Sequence, residues 1–295
     1  MATLIVTPFT PRTTNGRGLR TVGLTRALSR CDDVEVAYVE FDGREPAASL
    51  VDEPRVRLRR LDRTPRPGRI LAYGRARRAG VPAGFARGVS PELVACLRDT
   101  GTYDRVVADG PIAAAAGILL ARSRSIIYNA HNVESSFRTA LSGHHTYGST
   151  AQLERFERAL FDEAVETWLP TERDVGVARG LAPAARLRRV PNVVDVAAIR
   201  PVERPGASRA LFVADLTYEP NLNAARFLVG EVMPRLWRVT PTATRRRSPK
   251  ARRRRRRRRS ARRRASTSVA TTASRSPIRS SRTTGRRRTG GRTST

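Results

Sequence analysis

The sequence predicts an α/β protein built on a doubly wound, mostly parallel sheet. Short apolar runs alternate along residues 1–236 with longer segments whose apolar residues recur at helical spacing. Such alternation favours parallel strands joined by helical crossovers. Polar or glycine-containing segments follow several of the runs, as they do at the ligand-binding edge of doubly wound sheets. We therefore expect a functional site at the carboxyl ends of the strands.

The predicted strands are short and rich in apolar residues, the composition of strands that are buried on both faces. The second run also alternates, with Val34, Val36 and Tyr38 on one face. The run at 56–61 is the weaker candidate. In chain order the strands are expected at residues 3–7, 34–41, 56–61, 105–108, 125–128, 167–169 and 187–190.

The predicted helices occupy the intervals between these strands. The first, at residues 19–30, has a side of apolar residues at helical spacing: Leu19, Val22, Leu24, Ala27 and Leu28. Residues 62–90 are rich in Arg, Pro and Gly and predict a loop with one short helix. The remaining helices are expected at 91–99, at 113–121 (small residues), at 152–166 and at 172–180.

The predicted domain organisation is uneven. Residues 1–198 form a first domain and residues 199–208 a linker. Residues 209–237 supply one strand, at 210–214, and one helix, at 221–236, of a second domain. One strand and one helix do not make a domain, because the strand has no sheet to complete. We therefore expect the second domain to be incomplete and the strand at 210–214 to be exposed.

The composition changes abruptly after Trp237. The chain has 57 basic and 26 acidic residues, a net charge of +31. Residues 245–295 hold 22 of the basic residues and none of the acidic ones, so residues 1–244 carry only +9 (35 − 26). A segment with so little apolar surface cannot offset the entropy of ordering its backbone. We predict that residues 238–295 are a disordered basic tail.

Three interpretations of this tail compete. Eight consecutive arginines, residues 252–259, would bind RNA or anionic lipid through counterion release. The tail would alternatively be a solvated extension without a function of its own. The interpretation we favour is a shift of reading frame, because GC-rich coding DNA read out of frame yields this mixture of Arg, Ser, Thr, Pro and Ala.

Several classes of protein are disfavoured by composition. Cys31 and Cys96 form no CxxC or Cys/His pattern and are expected to be reduced thiols. The three histidines are too scattered for a metal site, and we predict neither a metal nor another cofactor. No apolar run approaches the roughly 18–20 residues of a membrane span, and the N-terminus lacks the pattern of a signal peptide. The expected compartment is the cytoplasm.

Four segments carry candidate chemistry, and each has a plain structural alternative. Residues 15–18, Asn-Gly-Arg-Gly, join the first strand to the first helix, where glycines let the backbone approach a phosphate or form a tight turn. In residues 128–135, Tyr-Asn-Ala-His-Asn-Val-Glu-Ser, His131 would bind a sugar hydroxyl or exchange a proton, or would be structural. Glu134 would alternatively cap the next helix.

The other two segments are strand-to-loop transitions whose spacing alone reveals no chemistry. They are residues 189–195, Arg-Val-Pro-Asn-Val-Val-Asp, and residues 211–221, Leu-Phe-Val-Ala-Asp-Leu-Thr-Tyr-Glu-Pro-Asn. The order of all four segments along residues 3–236 resembles the bacterial retaining GT-B glycosyltransferases of the family-four type (group 1-like). Members of that family have two Rossmann-like domains facing a cleft, and they transfer a sugar without a metal.

The resemblance implies roles for individual residues. Residues 1–198 would be the GT-B N-terminal, acceptor-side domain, and 209–237 would begin the donor-side domain. His131 would be the catalytic residue, lining the sugar pocket. The remaining site residues implied by the resemblance bind the nucleotide-sugar donor or the acceptor: Gly16, Gly18, Arg20, Asn132, Glu134, Asn192 and Asp215. The expected partners are a nucleotide-sugar and a glycan or lipid-linked acceptor, with peripheral contact to anionic membrane at the inner face of the plasma membrane.

The chain departs from the family pattern in ways that bear on activity. Val193 and Ala214 stand where the family motifs have glycine. No acidic residue follows Glu231, so the family's Glu-x₇-Glu donor motif is absent. We therefore expect a glycosyltransferase of polysaccharide biosynthesis, or an inactive remnant of one, that is truncated or frameshifted after about Trp237. The alternative is a polyanion-binding protein that acts through its Arg-rich tail.

Overall fold

The computed structural model describes residues 1–40, 45–136, 148–194, 196, 199, 210–214, 216 and 219–239. The chain divides into two compact units, of which the first comprises Met1–Glu203 and Asp215–Leu222 and the second Arg204–Ala214 and Asn223–Thr295. The predicted tail at 238–295 lies outside the described residues from residue 240 onward. The sheet and the candidate site both belong to the first unit.

The first unit contains a seven-stranded sheet in which every pairing is parallel. Its spatial order is β3-β2-β1-β4-β5-β6-β7. The order reverses direction between β1 and β4, which makes the carboxyl ends of these two strands the topological switch point. This confirms the predicted doubly wound sheet. The strands are β1 (Ala2–Thr7), β2 (Asp33–Val39), β3 (Val56–Leu61), β4 (Arg105–Asp109), β5 (Ile126–Asn129), β6 (Glu166–Leu169) and β7 (Leu187–Arg189).

Helices of the first unit join successive strands and cover the sheet. They are α1 (Gly16–Leu28), α2 (Ala48–Val51), α3 (Arg66–Arg78), α4 (Ala83–Ala86), α5 (Pro91–Arg98), α6 (Gly110–Ala114), α7 (Thr150–Glu163) and α8 (Glu172–Leu181). A π-helical segment, Ala115–Leu120, continues α6. Residues 219–239 are also helical, as α9 (Glu219–Phe227), a π-helical stretch (Leu228–Val232) and α10 (Met233–Val239).

The strands are buried on both faces because successive side chains of a strand point to opposite sides. Leu4 and Val6 of β1 belong to the larger apolar cluster, whereas Ile5 between them belongs to the smaller cluster on the other face. The larger cluster includes stacked aromatic pairs, among them Tyr128 and Phe161 with ring centroids 6.0 Å apart. A sheet packed on both faces leaves its strand ends as the place for polar chemistry.

Two sequence predictions were wrong in detail. Residues 62–90 contain two helices, α3 and α4, where one short helix was expected. In α3, Ala72 and Ala76 lie one turn apart and are buried, and this spacing is enough to pack a helix in which arginine is the commonest residue. Residues 210–214 do not form a strand. An isolated strand would leave its backbone N–H and C=O groups unpaired, which is the physical reason.

Candidate functional site

A group of polar side chains converges at the switch point of the sheet. Asp109 is the last residue of β4 and Asn129 the last residue of β5, and the two strands are hydrogen-bonded neighbours. Helix α1 contributes Arg20 and Thr21, while His131 follows β5 by two residues. Because parallel strands end at one edge, residues far apart in sequence meet here. This is the carboxyl edge of the sheet, where the sequence predicts a functional site.

Asp109 is the acceptor at the centre of the group. Its side chain is buried and accepts hydrogen bonds from three groups: Thr21 Oγ1 at 2.7 Å, Asn129 Nδ2 at 2.7 Å and His131 Nε2 at 2.9 Å. Burial opposes ionisation of this carboxyl group, but the charge of His131 and the three hydrogen bonds outweigh burial and lower its pKa. Asp109 is therefore a carboxylate, and it can orient its neighbours but is a poor proton donor.

The imidazole of His131 is fixed in orientation by this carboxylate. An ionised carboxylate only accepts hydrogen bonds, so His131 Nε2 donates to Asp109 and Nδ1 is the nitrogen left for another partner. Gly110, with φ of +80°, lies against the ring: a Cβ there would stand 3.1 Å from His131 Cε1. The left-handed backbone at Gly110 and the close approach both favour glycine.

Arg20 is held mainly by oxygen atoms of the protein. It is buried, and its guanidinium donates to Asn129 Oδ1 from Nε (3.1 Å) and Nη2 (2.8 Å), and from Nη1 to Val190 O (2.8 Å) and Asn192 Oδ1 (3.0 Å). Burial lowers the pKa of Arg20, while the charges of Asp109 and Asp174 oppose that effect. Four of its five N–H donors are thus engaged, with Asn192 as one of the acceptors. A contact of Arg20 or Asn192 with substrate stays a prediction.

The two glycines of the first loop, Gly16 and Gly18, differ in how much space surrounds them. Asn15 caps α1, and its Oδ1 accepts from the backbone N–H of Gly18 at 2.9 Å. A Cβ at Gly18 would stand 1.7 Å from the carbonyl oxygen of Arg12, so Gly18 is required for packing of its own loop. A Cβ at Gly16 would meet nothing within 4 Å. Of the two, Gly16 is the one whose surroundings are open, and a donor-binding role for either stays a prediction.

The segment after β5 is anchored by a buried carboxylate from α7. Glu157 is fully buried and accepts hydrogen bonds from the backbone N–H groups of Glu134 and of Ser135, the latter at 3.0 Å. Burial raises the pKa of Glu157 to about 7, although these hydrogen bonds oppose the rise and the charge of Glu134 adds to it. The sequence left open that Glu134 caps the next helix. In the structure, Glu157 accepts the hydrogen bonds from the backbone N–H groups of Glu134 and Ser135.

Glu134 and Asn132 lie beside His131 in the same segment. Burial raises the pKa of Glu134, against the opposing charges of Arg17 and His131 and a hydrogen bond with Asn132. Two positive charges therefore act on Glu134, that of Arg17 from α1 and that of His131 from its own segment. The two predicted binding residues are thus close to His131, and their proposed contact with substrate stays a prediction. Asp215, the remaining predicted site residue, lies outside the described residues.

A cavity of about 260 Å³ lies against this group. Asp109 and His131 contribute its polar wall, and Arg17, whose guanidinium lies 5.7 Å from the Phe9 ring centroid, adds a positive charge. Helix α4 supplies Phe85 on another side. The arrangement offers a ligand one imidazole nitrogen, two arginines (Arg17 and Arg87) and an apolar surface. The full lining is Pro8, Phe9, Arg17, Gly84, Phe85, Arg87, Gly88, Asp109, Gly110, Pro111, Ile112 and His131.

Sequence reasoning missed the residues that hold His131 in place. Asp109 and Gly110 follow an apolar strand directly, and that position, a carboxylate at a strand's carboxyl end, is a signal that was available. Thr21 and Glu157 gave no such signal, since both lie inside helices and look like solvated residues. Among the residues that the structure describes, no group of three or more His, Cys, Asp or Glu side chains is placed to hold a metal ion.

Searches for similar proteins and structures bear on the fold. None of the protein-family models and none of the curated proteins matched this chain. The chain is similar to the structure of sucrose-phosphate synthase from Thermosynechococcus elongatus, with a TM-score of 0.52 and 12% sequence identity, over 83% of this chain and 69% of that one. HepE from Anabaena, solved in complex with UDP, gave a TM-score of 0.42 at 13% identity, over 67% of this chain and 45% of that one.

These neighbours are GT-B glycosyltransferases. At 12% identity the likeness to sucrose-phosphate synthase concerns the fold alone. In the described part of the chain, no helix has the length and apolar character needed to cross a membrane. The seven-stranded parallel sheet and its flanking helices have the Rossmann-like fold of the GT-B glycosyltransferases.

Proposed function

We propose that the first unit is the acceptor-side domain of a glycosyltransferase that uses a nucleotide-sugar donor. The observation that supports this most directly is the Asp109–His131 pair, which lies at the switch point of a GT-B sheet and lines a cavity. The four sequence motifs support the same assignment. The acceptor class we propose is a glycan or lipid-linked sugar, whose hydroxyl groups match the imidazole nitrogen that Asp109 does not hold.

The chemistry of the pair follows from its hydrogen bonds. With Nε2 held by a carboxylate, His131 Nδ1 accepts a hydrogen bond from a sugar hydroxyl when the ring is neutral and donates one when it is protonated. Asp109 fixes the plane of the ring. In sugar transfer the acceptor oxygen replaces a phosphate oxygen on the anomeric carbon, and the acceptor gives up its proton. His131 would orient that acceptor hydroxyl.

Arg17 is the second residue to which we assign a role. Its guanidinium lines the cavity, and an arginine there stabilises the negative charge that builds up on a departing diphosphate. Arg20, also from α1, has four of its five N–H donors engaged by Asn129, Val190 and Asn192, so we assign this role to Arg17. We expect no complete transfer by this chain, because the acidic donor motif has no counterpart after Glu231.

The test is ligand binding, since binding does not require the donor-side motif. Saturation-transfer NMR with methyl glycosides, UDP-sugars and GDP-sugars should give signal for at least one glycoside. His131→Ala should weaken that binding by about tenfold or more, the loss of one hydrogen bond to a polar ligand. The exposed Cys31→Ser variant serves as the control that leaves binding unchanged. If no glycoside and no nucleotide-sugar binds, the proposal is refuted.

A further inference from the structure

The buried part of the cavity lining is apolar. Four lining residues are buried and have apolar side chains: Pro8, Phe85, Pro111 and Ile112. The buried carboxylate of the lining, Asp109, already accepts three hydrogen bonds from the protein. A ligand group that reaches this wall is therefore expected to be apolar, because a hydroxyl that is buried without a hydrogen-bond partner costs free energy.

The other polar side chains of the lining lie nearer to solvent. Arg17 and Arg87 are both exposed. The side chain of His131 is 11% exposed and stands between the exposed arginines and the buried wall. A lining of this kind matches a ligand with one polar end and one apolar end, because each end then meets groups of its own polarity.

The apolar wall is kept in place by its own packing. The ring of Phe85 stacks on Phe156 of α7, with 5.5 Å between the ring centroids. Ile112 packs closely against the backbone at Gly88, where a Cβ would stand 2.5 Å from Ile112 Cδ1. Because these contacts fix both side chains, the space beside them exists before a ligand arrives, and binding costs little rearrangement.

The volume of the cavity selects a compact group. An apolar cavity of about 150 Å³ holds one benzene molecule, and pockets for drug-sized ligands measure about 300–1,000 Å³. The cavity of about 260 Å³ therefore suits one ring with its point of attachment, and it is small for the extended chain of a lipid. Phe9 and Phe85 line it, and aromatic side chains favour an aromatic partner over an alkyl one.

We propose that this cavity is a subsite for a compact aromatic ring joined to the acceptor sugar, so that the acceptor is an aryl glycoside. The ring lies against Phe9, Phe85 and Ile112, while a sugar hydroxyl reaches His131 Nδ1. The sugar half of this inference rests on the proposed function. The ring half rests on the lining and the volume of the cavity alone.

The experiment compares glycosides that differ only in the group attached to the sugar. The full-length chain is titrated with methyl, phenyl and octyl glycosides of glucose, galactose and mannose, the octyl compounds below their micelle concentration. Phenol is the ring without a sugar. Saturation-transfer NMR gives the affinities and identifies the ligand protons nearest the protein. Phe9→Ala tests the wall, since Phe9 is 41% exposed and lies outside the core, and Phe227→Ala on α9, 62% exposed, is the matched aromatic control.

We expect the phenyl glycoside of at least one sugar to bind about tenfold or more tightly than the methyl glycoside of that sugar, with the strongest saturation on the ring protons. Phe9→Ala should remove most of this advantage, and Phe227→Ala should leave it unchanged. Equal affinities of phenyl and methyl glycosides would overturn the inference and leave the proposed function in place. An octyl glycoside that binds more tightly than the phenyl one, with an advantage that Phe9→Ala abolishes, would also overturn it.

Two more outcomes separate the inference from the proposed function. If phenol binds as tightly as the phenyl glycosides and Phe9→Ala weakens its binding, the ring subsite stands and the sugar acceptor is refuted. If neither phenol nor any phenyl glycoside binds, the inference is overturned. The binding of methyl glycosides and nucleotide-sugars then decides the proposed function by itself.

Discussion

Replacing Glu157 with Gln should change how the stability of the protein depends on pH. Glu157 is fully buried, and burial raises its pKa from 4.5 to about 7. Between these two values the folded chain retains a proton that the unfolded chain has released. The free energy of unfolding therefore falls as pH rises through this window, and it is constant with respect to this group below 4.5 and above about 7.

The size of the effect follows from the two pKa values. One pH unit between folded and unfolded pKa values corresponds to about 1.4 kcal/mol, so Glu157 costs about 3 kcal/mol at neutral pH relative to acidic pH. Gln has the shape of the protonated acid, and like the acid it presents only one good acceptor to the two N–H groups of Glu134 and Ser135. Glu157→Gln should therefore match the parent near pH 4.5 and exceed its stability by about 3 kcal/mol above pH 7.

Urea unfolding between pH 4.5 and 8, followed by fluorescence of the buried Trp168, measures this difference. Glu163→Gln, which removes an exposed carboxylate from the same helix, is the matched control and should run parallel to the parent. Besides burial, the charge of Glu134 raises the pKa of Glu157. Burial also raises the pKa of Glu134, and this shift acts on stability in the same direction. A difference between Glu157→Gln and the parent that stays constant within about 0.5 kcal/mol across the range would refute the reasoning.

Other expected outcomes test the rest of the site. Arg20→Met leaves acceptors on Asn129, Val190 and Asn192 without their donor and should cost about 3 kcal/mol in urea unfolding, whereas the exposed Arg186→Met should cost less than about 0.5 kcal/mol; equal costs would contradict the role of Arg20. Gly23→Ala places a Cβ 2.6 Å from Val193 Cγ2 and should cost about 1–2 kcal/mol, part of which Val193→Ala should restore; a double mutant with strictly additive losses would argue against this contact. Deleting residues 245–295 should abolish salt-dependent RNA binding and leave glycoside binding unchanged; RNA binding that survives the deletion would locate it elsewhere.

The sheet could be predicted from sequence because buried parallel strands are recognisable as apolar runs. All seven strands were predicted, and the carboxyl edge followed from their parallel direction. The length of helix α3 was not predicted, because five arginines, one proline and two glycines obscure the two alanines that pack against the core. The predicted strand at 210–214 failed because strand propensity needs a neighbouring strand to pair with.

Only part of the candidate site could be predicted from the sequence. His131 stands in a polar segment directly after a strand, and its position was enough to select it. The partners that orient it come from other parts of the chain, namely Thr21, Asp109 and Asn129. The partners of Arg20 could not be predicted, because only the folded chain shows that residues 190–192 return to α1 and accept its hydrogen bonds. Contacts between such distant parts of the chain cannot be predicted from the spacing of residues in the sequence.

The amide of Asn129 connects Asp109 to Arg20. Its nitrogen donates to Asp109, and its oxygen accepts from Arg20, which in turn donates to Val190 O and Asn192 Oδ1 just after β7. Turning this amide over would set two donors against each other on one side and two acceptors on the other. Four hydrogen bonds in series therefore run from Asn192 through Arg20, Asn129 and Asp109 to the imidazole of His131. A displacement of the chain just after β7 would be transmitted along this series to the orientation of His131.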